Sequence, residues 1–77
     1  MMKKQEILLF LLEKYADWEA AYLSTAVYSM SRDNYEIKTV SLSKEPFHSA
    51  GGLCVVPDYD LESMPEDYAA LILVGGY

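Results

Sequence analysis

Residues Ile7 to Leu12 form an uninterrupted apolar run of six. A strand with one wet face alternates apolar and polar residues, whereas a strand of a parallel sheet is covered on both faces and is apolar throughout. The run therefore predicts a buried strand of an α/β protein. A turn over residues 13–16 follows, and Asp17 is the predicted N-cap of a helix from Trp18 to about Ser31.

Glu19 lies in the first turn of this predicted helix. At 3.6 residues per turn it shares a stripe with Leu23, Val27 and Met30, so we expect its carboxylate to point toward the sheet rather than to bulk water. Ligands of open α/β sheets bind beyond the carboxyl ends of the strands, where this strand-to-helix turn must lie. Glu19 is therefore a candidate site residue, the alternative being an acid that is favoured only by the helix dipole.

The rest of the chain predicts two more strands of the main sheet and a small hairpin. Ala69–Val74 is fully apolar and ends in Gly75–Gly76, where the backbone can take a positive φ or approach a ligand closely. The strand, helix and second strand should form a right-handed crossover unit. The other predicted elements are the second strand over 35–42, a hairpin of 47–49 and 53–56 around a glycine turn, and a short helical turn over 61–64.

Charge and composition exclude several classes of protein. The 77 residues carry 12 acids against 6 basic residues, a net charge of −6, and the basic residues are scattered, which argues against a nucleic-acid partner. No segment approaches the roughly 20 apolar residues of a membrane span. A single cysteine cannot form an internal disulfide, which favours a reducing compartment. We therefore expect a cytoplasmic protein with no nucleic-acid or membrane partner.

The predicted sheet lacks cover on one face. The strands at 7–12 and 70–74 are expected to be parallel neighbours, yet only one long helix is available to cover them. Leaving about five large side chains in water forfeits on the order of 8 to 15 kcal/mol, as much as the whole stability of a typical domain, about 5 to 15 kcal/mol. We predict that residues 1–77 are the N-terminal portion of a single domain. Its cover is a missing C-terminal segment or a second chain.

Three segments of the sequence together resemble the DJ-1/PfpI family, within the class I glutamine amidotransferase-like superfamily. The resemblance covers nearly all of the 77 residues but only the first part of a family domain. It implies a flavodoxin-like parallel-sheet α/β sandwich that often forms dimers. It also implies a cysteine-dependent hydrolase-like enzyme, such as an intracellular protease, an amidase, a glyoxalase or a deglycase. The segments are the apolar strand followed by Tyr15–Glu19, the stretches 49–53 and 56–59, and residues 65–76.

The resemblance also implies roles for individual residues. Glu19 matches the buried acid that hydrogen-bonds the nucleophilic cysteine and tunes its thiolate, and Gly76 matches the residue whose amide helps to form the oxyanion hole, with Gly75 in the supporting turn. The nucleophile itself lies downstream of the Gly-Gly turn in this family, so the 77 residues are expected to be inactive alone. The substrate stays open between a peptide and a small molecule. The competing hypothesis is a non-catalytic binding or assembly module whose exposed sheet face is covered by a partner chain. A homo-oligomer is expected for the protein.

The remaining candidates favour plain structural roles. Cys54 lies in an apolar strand with no obvious activating group, which predicts a structural thiol. His48, the single histidine, is expected to be a solvated hairpin residue, and one His with one Cys lacks the spacing of a zinc site. Residues 14–16 after the first strand contain no glycine, unlike a dinucleotide-binding turn. We predict no cofactor and no metal.

Overall fold

The computed structural model describes residues 4–76 of the predicted N-terminal portion 1–77. Residues 1–3 and 77 lie outside the described residues. The elements are β1 (Gln5–Phe10), α1 (Asp17–Ser31), β2 (Tyr35–Val40), β3 (Phe47–His48), β4 (Cys54–Val55) and β5 (Ala70–Leu73). One sheet is parallel with the strand order β2-β1-β5, and the other is a two-stranded antiparallel ribbon of β3 and β4. The predicted α/β class and the strand–helix–strand unit are confirmed.

The central strand β1 is buried on both faces, as its apolar run predicts. Leu8 is 0% exposed and Leu9 is 2% exposed, and they point to opposite faces because strand side chains alternate. Leu9 pairs with Ile72 of β5, so these two residues share a face, and both belong to the core that packs against Ala20 and Leu23 of α1. The helix therefore covers the face of the sheet that carries Leu9.

The second face of the sheet is covered over β1 and β2 but open at β5. Leu8 and Val40 are completely buried there, whereas Leu71 and Leu73 are 41% and 74% exposed. The chain around Tyr59 runs beside β2 and makes one parallel bridge to Val40, with the Tyr59 amide donating to the Thr39 carbonyl at 3.0 Å. The predicted bare face is thus confined to the edge strand β5, because the 57–60 segment shelters the opposite edge.

The start of α1 differs from the prediction. Ala16 is the N-cap, it makes no side-chain capping bond, and Asp17 is the first helical residue. Asp17 does not cap the helix because its Oδ1 instead accepts from the Gly51 amide of the hairpin turn, at 2.8 Å. The sheet-facing contacts come from Ala20 and Leu23, so Glu19 lies beside the apolar stripe rather than in it.

The predicted hairpin is confirmed and packs on the turn after β1. Phe47 is buried and meets the Tyr15 ring edge to face, with the ring centroids 6.0 Å apart. At the turn, the Ser49 amide donates to the Leu53 carbonyl at 2.9 Å, and Gly52 has φ of +89°. Within residues 4–76, no helix is long and apolar enough to cross a membrane.

Candidate functional site

The chain segments that leave β1 and β5 run side by side at the carboxyl edge of the sheet. Val74 donates its amide to the Phe10 carbonyl at 3.2 Å, and Ala16 donates to the Gly75 carbonyl at 2.8 Å. Tyr15 then faces Gly76 in an isolated antiparallel bridge. The strand-to-helix turn and the Gly-Gly turn, predicted separately, therefore meet at the edge where ligands of parallel sheets bind.

Glu19 reaches the Gly-Gly turn through its carboxylate. The Gly75 amide donates to Glu19 Oε1 at 3.3 Å, across a sequence separation of 56 residues. Glu19 itself is exposed, so the expectation that it avoids bulk water is wrong. It lies in the first turn of α1, one residue before Ala20, which is the first helical residue that packs on the core of the sheet. Only its direction, toward the sheet edge, was predicted correctly.

Close approach, rather than a positive φ, explains why glycine suits both positions of the turn. A Cβ on Gly75 would lie 3.1 Å from Glu19 Oε2, and a Cβ on Gly76 would lie 2.7 Å from the Lys14 carbonyl oxygen. Among the residues described, only Lys14, at 65°, and Gly52 have positive φ. Lys14 turns the chain after β1, and its carbonyl then lies against Gly76.

The Gly76 amide is unoccupied within residues 4–76. Residues that face each other in an antiparallel bridge of this kind make no bond to one another, and the flanking Ala16 amide bonds to Gly75 instead. A free backbone N–H beside a carboxylate is a suitable donor for an oxygen that develops negative charge. This arrangement places an acid and an unpaired donor at one site.

A hydrogen-bonded cluster that the sequence analysis missed supports the site from the hairpin side. The Ser49 hydroxyl, which is 3% exposed as part of its residue, accepts from the Leu53 amide at 2.9 Å. Its hydrogen bond to Asp17 holds the pKa of that carboxyl below the usual range, with the Gly51 amide adding to the effect. Burial, reinforced by the Asp17 charge, raises the pKa of Tyr15. No local sequence signal reveals this cluster, because it forms only when the hairpin docks on α1.

His48 and Cys54 lie apart from the glycine pair. His48 is solvated as predicted: it donates its amide to Glu13 Oε2 at 3.0 Å, and its Nδ1 lies 3.8 Å from Glu13 Oε1. Cys54 is exposed, and the structural rather than nucleophilic role expected of its thiol stays a prediction. Its strand is only two residues long and belongs to a ribbon whose outer side meets solvent. Across the part of the chain that is described, no three His, Cys, Asp or Glu side chains are grouped to hold a metal.

Two open clefts flank the sheet. The smaller, of about 460 Å³, lies next to the turn after β1 and is lined by Glu13, Lys14, His48, Ser49, Ala50 and Gly52. The larger, of about 590 Å³, lies by the amino end of β1, between Glu6 and residues 65–68. Parallel sheets bind ligands at the carboxyl ends of their strands, and the smaller cleft lies at that end. Its lining includes Lys14, whose carbonyl lies against Gly76, but not Glu19 or the glycine pair.

Comparison with known proteins agrees with this architecture. The chain is 37% identical over 76 residues to the uncharacterized protease YdeA of Bacillus subtilis (strain 168). The aligned region covers 97% of this chain and 36% of that protein. A DJ-1 superfamily protein from Agrobacterium tumefaciens superposes with a TM-score of 0.77 at 36% identity, over 94% of this chain and 38% of its own. A thiJ/pfpI family protein from Bacillus anthracis superposes with a TM-score of 0.79 at 28% identity, over 100% of this chain and 39% of its own.

The chain thus spans little more than a third of the length of these relatives. The predicted flavodoxin-like parallel-sheet fold is confirmed by the solved relatives, and the predicted resemblance is confirmed by a family model that matches residues 5–77. Because this model covers residues 5–77 of the 77, the chain belongs to the DJ-1/PfpI family.

Proposed function

We propose that this chain contributes the acid and the oxyanion-binding amide of a cysteine-dependent hydrolase-like site, of the peptidase/amidase or glyoxalase/deglycase type. The observation that carries the proposal is the Gly75 amide 3.3 Å from Glu19 Oε1, next to the unoccupied amide of Gly76. The nucleophile is a cysteine outside the 77 residues, which are inactive by themselves. We assign no such role to Cys54, which lies in the two-stranded ribbon and is not among the residues closest to Gly75 and Gly76, namely Glu19, Lys14 and Tyr15.

In this proposal Glu19 acts on the cysteine thiol, and the Gly76 amide acts on the carbonyl oxygen of the substrate. The thiolate attacks a carbonyl carbon, an S–C bond forms, and the C=O π pair moves to oxygen, where the Gly76 N–H donates to the developing charge. Glu19 holds the thiol. A carboxylate offers about four acceptor sites, so Oε2 is still available when Oε1 accepts from Gly75. A carboxylate beside the sulfur orients the thiol and changes the fraction of the thiol that is ionised.

The test compares Glu19→Ala with Glu19→Gln in the full-length protein. All variants carry Cys54→Ser, because Cys54 is exposed and would also react with the alkylating reagent. If Glu19 tunes the nucleophile, both variants change the dependence of the iodoacetamide alkylation rate on pH, since both remove the charge. Glu62→Gln, at an exposed acid of the 61–64 turn, is the matched control.

A helix-dipole role gives a different result. Loss of the charge would then reduce stability by about 0.3 to 1 kcal/mol and leave thiol reactivity unchanged. An alkylation profile of Glu19→Ala identical to that of the Glu62→Gln control would therefore reject the proposed function.

The proposed setting is the cytoplasm, with no cofactor and with assembly as a homo-oligomer. A reducing compartment suits a catalytic thiol and a chain with one exposed cysteine among its 77 residues. The net charge of −6 is consistent with a neutral or cationic substrate rather than nucleic acid.

The exposed edge strand favours one alternative, a non-catalytic binding or assembly module. Leu71 and Leu73 expose 41% and 74% of their surface on one face of β5, which a partner chain would cover. A module of this kind predicts that Leu73→Asp weakens assembly in sedimentation and that Glu19 variants have no effect on any thiol. A monodisperse 77-residue monomer with strongly protected amides from Leu71 to Leu73 would show that β5 needs no cover.

A further inference from the structure

The hairpin turn is bonded to the segment that links β1 to α1. The Ala50 amide donates to the Tyr15 carbonyl at 2.8 Å, and the Lys14 amide donates to the His48 carbonyl at 2.6 Å. From the helix side, Asp17 accepts from the Gly51 amide at 2.8 Å. The hairpin therefore holds residues 14–17 from one side along their whole length.

Ser49 is the residue that gives this turn its shape. It is 3% exposed, its Oγ accepts from the Leu53 amide at 2.9 Å, and its hydroxyl lies close enough to the Asp17 carboxylate to lower the pKa of that group. Without the hydroxyl, the Leu53 amide would lose its acceptor, and the bond from the Gly51 amide to Asp17 would have to hold the turn against the helix without it. The shape of the turn and the position of Asp17 therefore both involve this hydroxyl.

The opposite side of residues 14–17 lies against the glycine pair. Ala16 donates to the Gly75 carbonyl at 2.8 Å, and the Lys14 carbonyl and the Tyr15 Cα are the closest neighbours of Gly76. Tyr15 and Ala16 are 7% and 2% exposed, so the middle of this segment is closely packed. A displacement on the hairpin side is therefore transmitted to the glycine side.

We infer that Ser49 and Asp17 are positioning residues for the oxyanion-binding amide of Gly76. They fix the backbone of residues 14–17, and that backbone sets the direction of the Gly76 N–H. The inference rests on the proposed function, which assigns the oxyanion to Gly76. Such a donor has to be held within about 0.5 Å of its productive position, and neither positioning residue touches the reacting atoms.

The experiment measures steady-state kinetics of Ser49→Ala and Asp17→Ala in the full-length protein. We expect kcat to fall about 10- to 100-fold while KM changes by less than about threefold, because a misplaced donor affects the transition state more than substrate binding. Asp17→Asn keeps an acceptor for Gly51 and should restore most of the rate. Ser63→Ala is the control, since Ser63 Oγ also accepts from a backbone amide, that of Asp60 at 3.0 Å. Within residues 4–76, this turn makes no hydrogen bond to residues 14–17.

A second measurement separates this inference from the proposed function. NMR amide shifts and hydrogen exchange of Gly75 and Gly76 should change in Ser49→Ala and Asp17→Ala but not in Ser63→Ala. If the wild-type protein has no turnover and these amides still respond, the positioning contact is supported and the proposed function is wrong. If the glycine amides do not respond in either folded variant, or if an active enzyme keeps its kcat, the inference is overturned. Should Ser49→Ala not fold, Asp17→Ala and Asp17→Asn decide the matter.

Discussion

Substitution of Gly76 by alanine tests the close packing on which the proposed site depends. The new Cβ would lie 2.7 Å from the Lys14 carbonyl oxygen and 3.0 Å from the Tyr15 Cα. Both neighbours are backbone atoms that the hairpin holds in place, so they cannot rotate away as a side chain would. The bridge between Tyr15 and Gly76 has to open, which we expect to cost about 1 to 3 kcal/mol, as in other overpacked sites.

Urea unfolding of the full-length protein measures this cost. With a denaturant slope of about 2 kcal/mol per molar, the midpoint of Gly76→Ala should fall by about 0.5 to 1.5 M. Gly75→Ala is the matched variant, because its Cβ meets only the mobile end of Glu19, at 3.1 Å. It should shift the midpoint much less. Equal midpoints for Gly76→Ala and the wild type would show that Gly76 does not pack on Lys14, and the assigned orientation of its amide would then be wrong.

Three further outcomes follow from the structure. Cys54 is exposed, so the native wild-type protein should consume one more equivalent of Ellman's reagent than Cys54→Ser, whereas a difference that appears only after denaturation would contradict its position. The hydrogen bond to Glu6, with burial, raises the pKa of Tyr59 from 10.0 to about 12, so the stability that this bond gives the folded protein is complete below pH 10 and is lost between pH 10 and 12. The difference in urea midpoint between wild type and Tyr59→Phe should shrink over that interval, and a constant difference would refute the contact. The pKa of Asp17 is lowered from 3.8, so the stability that the ionised carboxylate gives the folded protein is present above pH 3.8 and is lost as the pH falls through the pKa of the folded state. The stability difference between wild type and Asp17→Asn should vanish in acid, and a difference that persists there would argue against the charged bond to Ser49.

The hydrophobic pattern determined the central strand and the apolar character of β5. Six apolar residues without alternation require a strand that is covered on both sides, and Leu8 and Leu9 are buried on opposite faces. The hairpin was also predictable, because a glycine turn between two apolar stretches is a local signal. The same local patterns located Glu19 at the start of a helix and Gly75–Gly76 at the end of a strand.

Only the tertiary structure decided which groups meet these residues. Asp17 looks like an N-cap within its own segment, yet its partner Gly51 lies 34 residues away and removes its carboxylate from the helix. Cys54 is apolar in its sequence context but exposed, because a two-residue strand in a ribbon buries little. The contact between Glu19 and Gly75 spans 56 residues and depends on parallel pairing of β1 with β5. Periodicity and turn propensity act over a few neighbouring residues, whereas these contacts depend on how separate elements dock, and no local pattern encodes that.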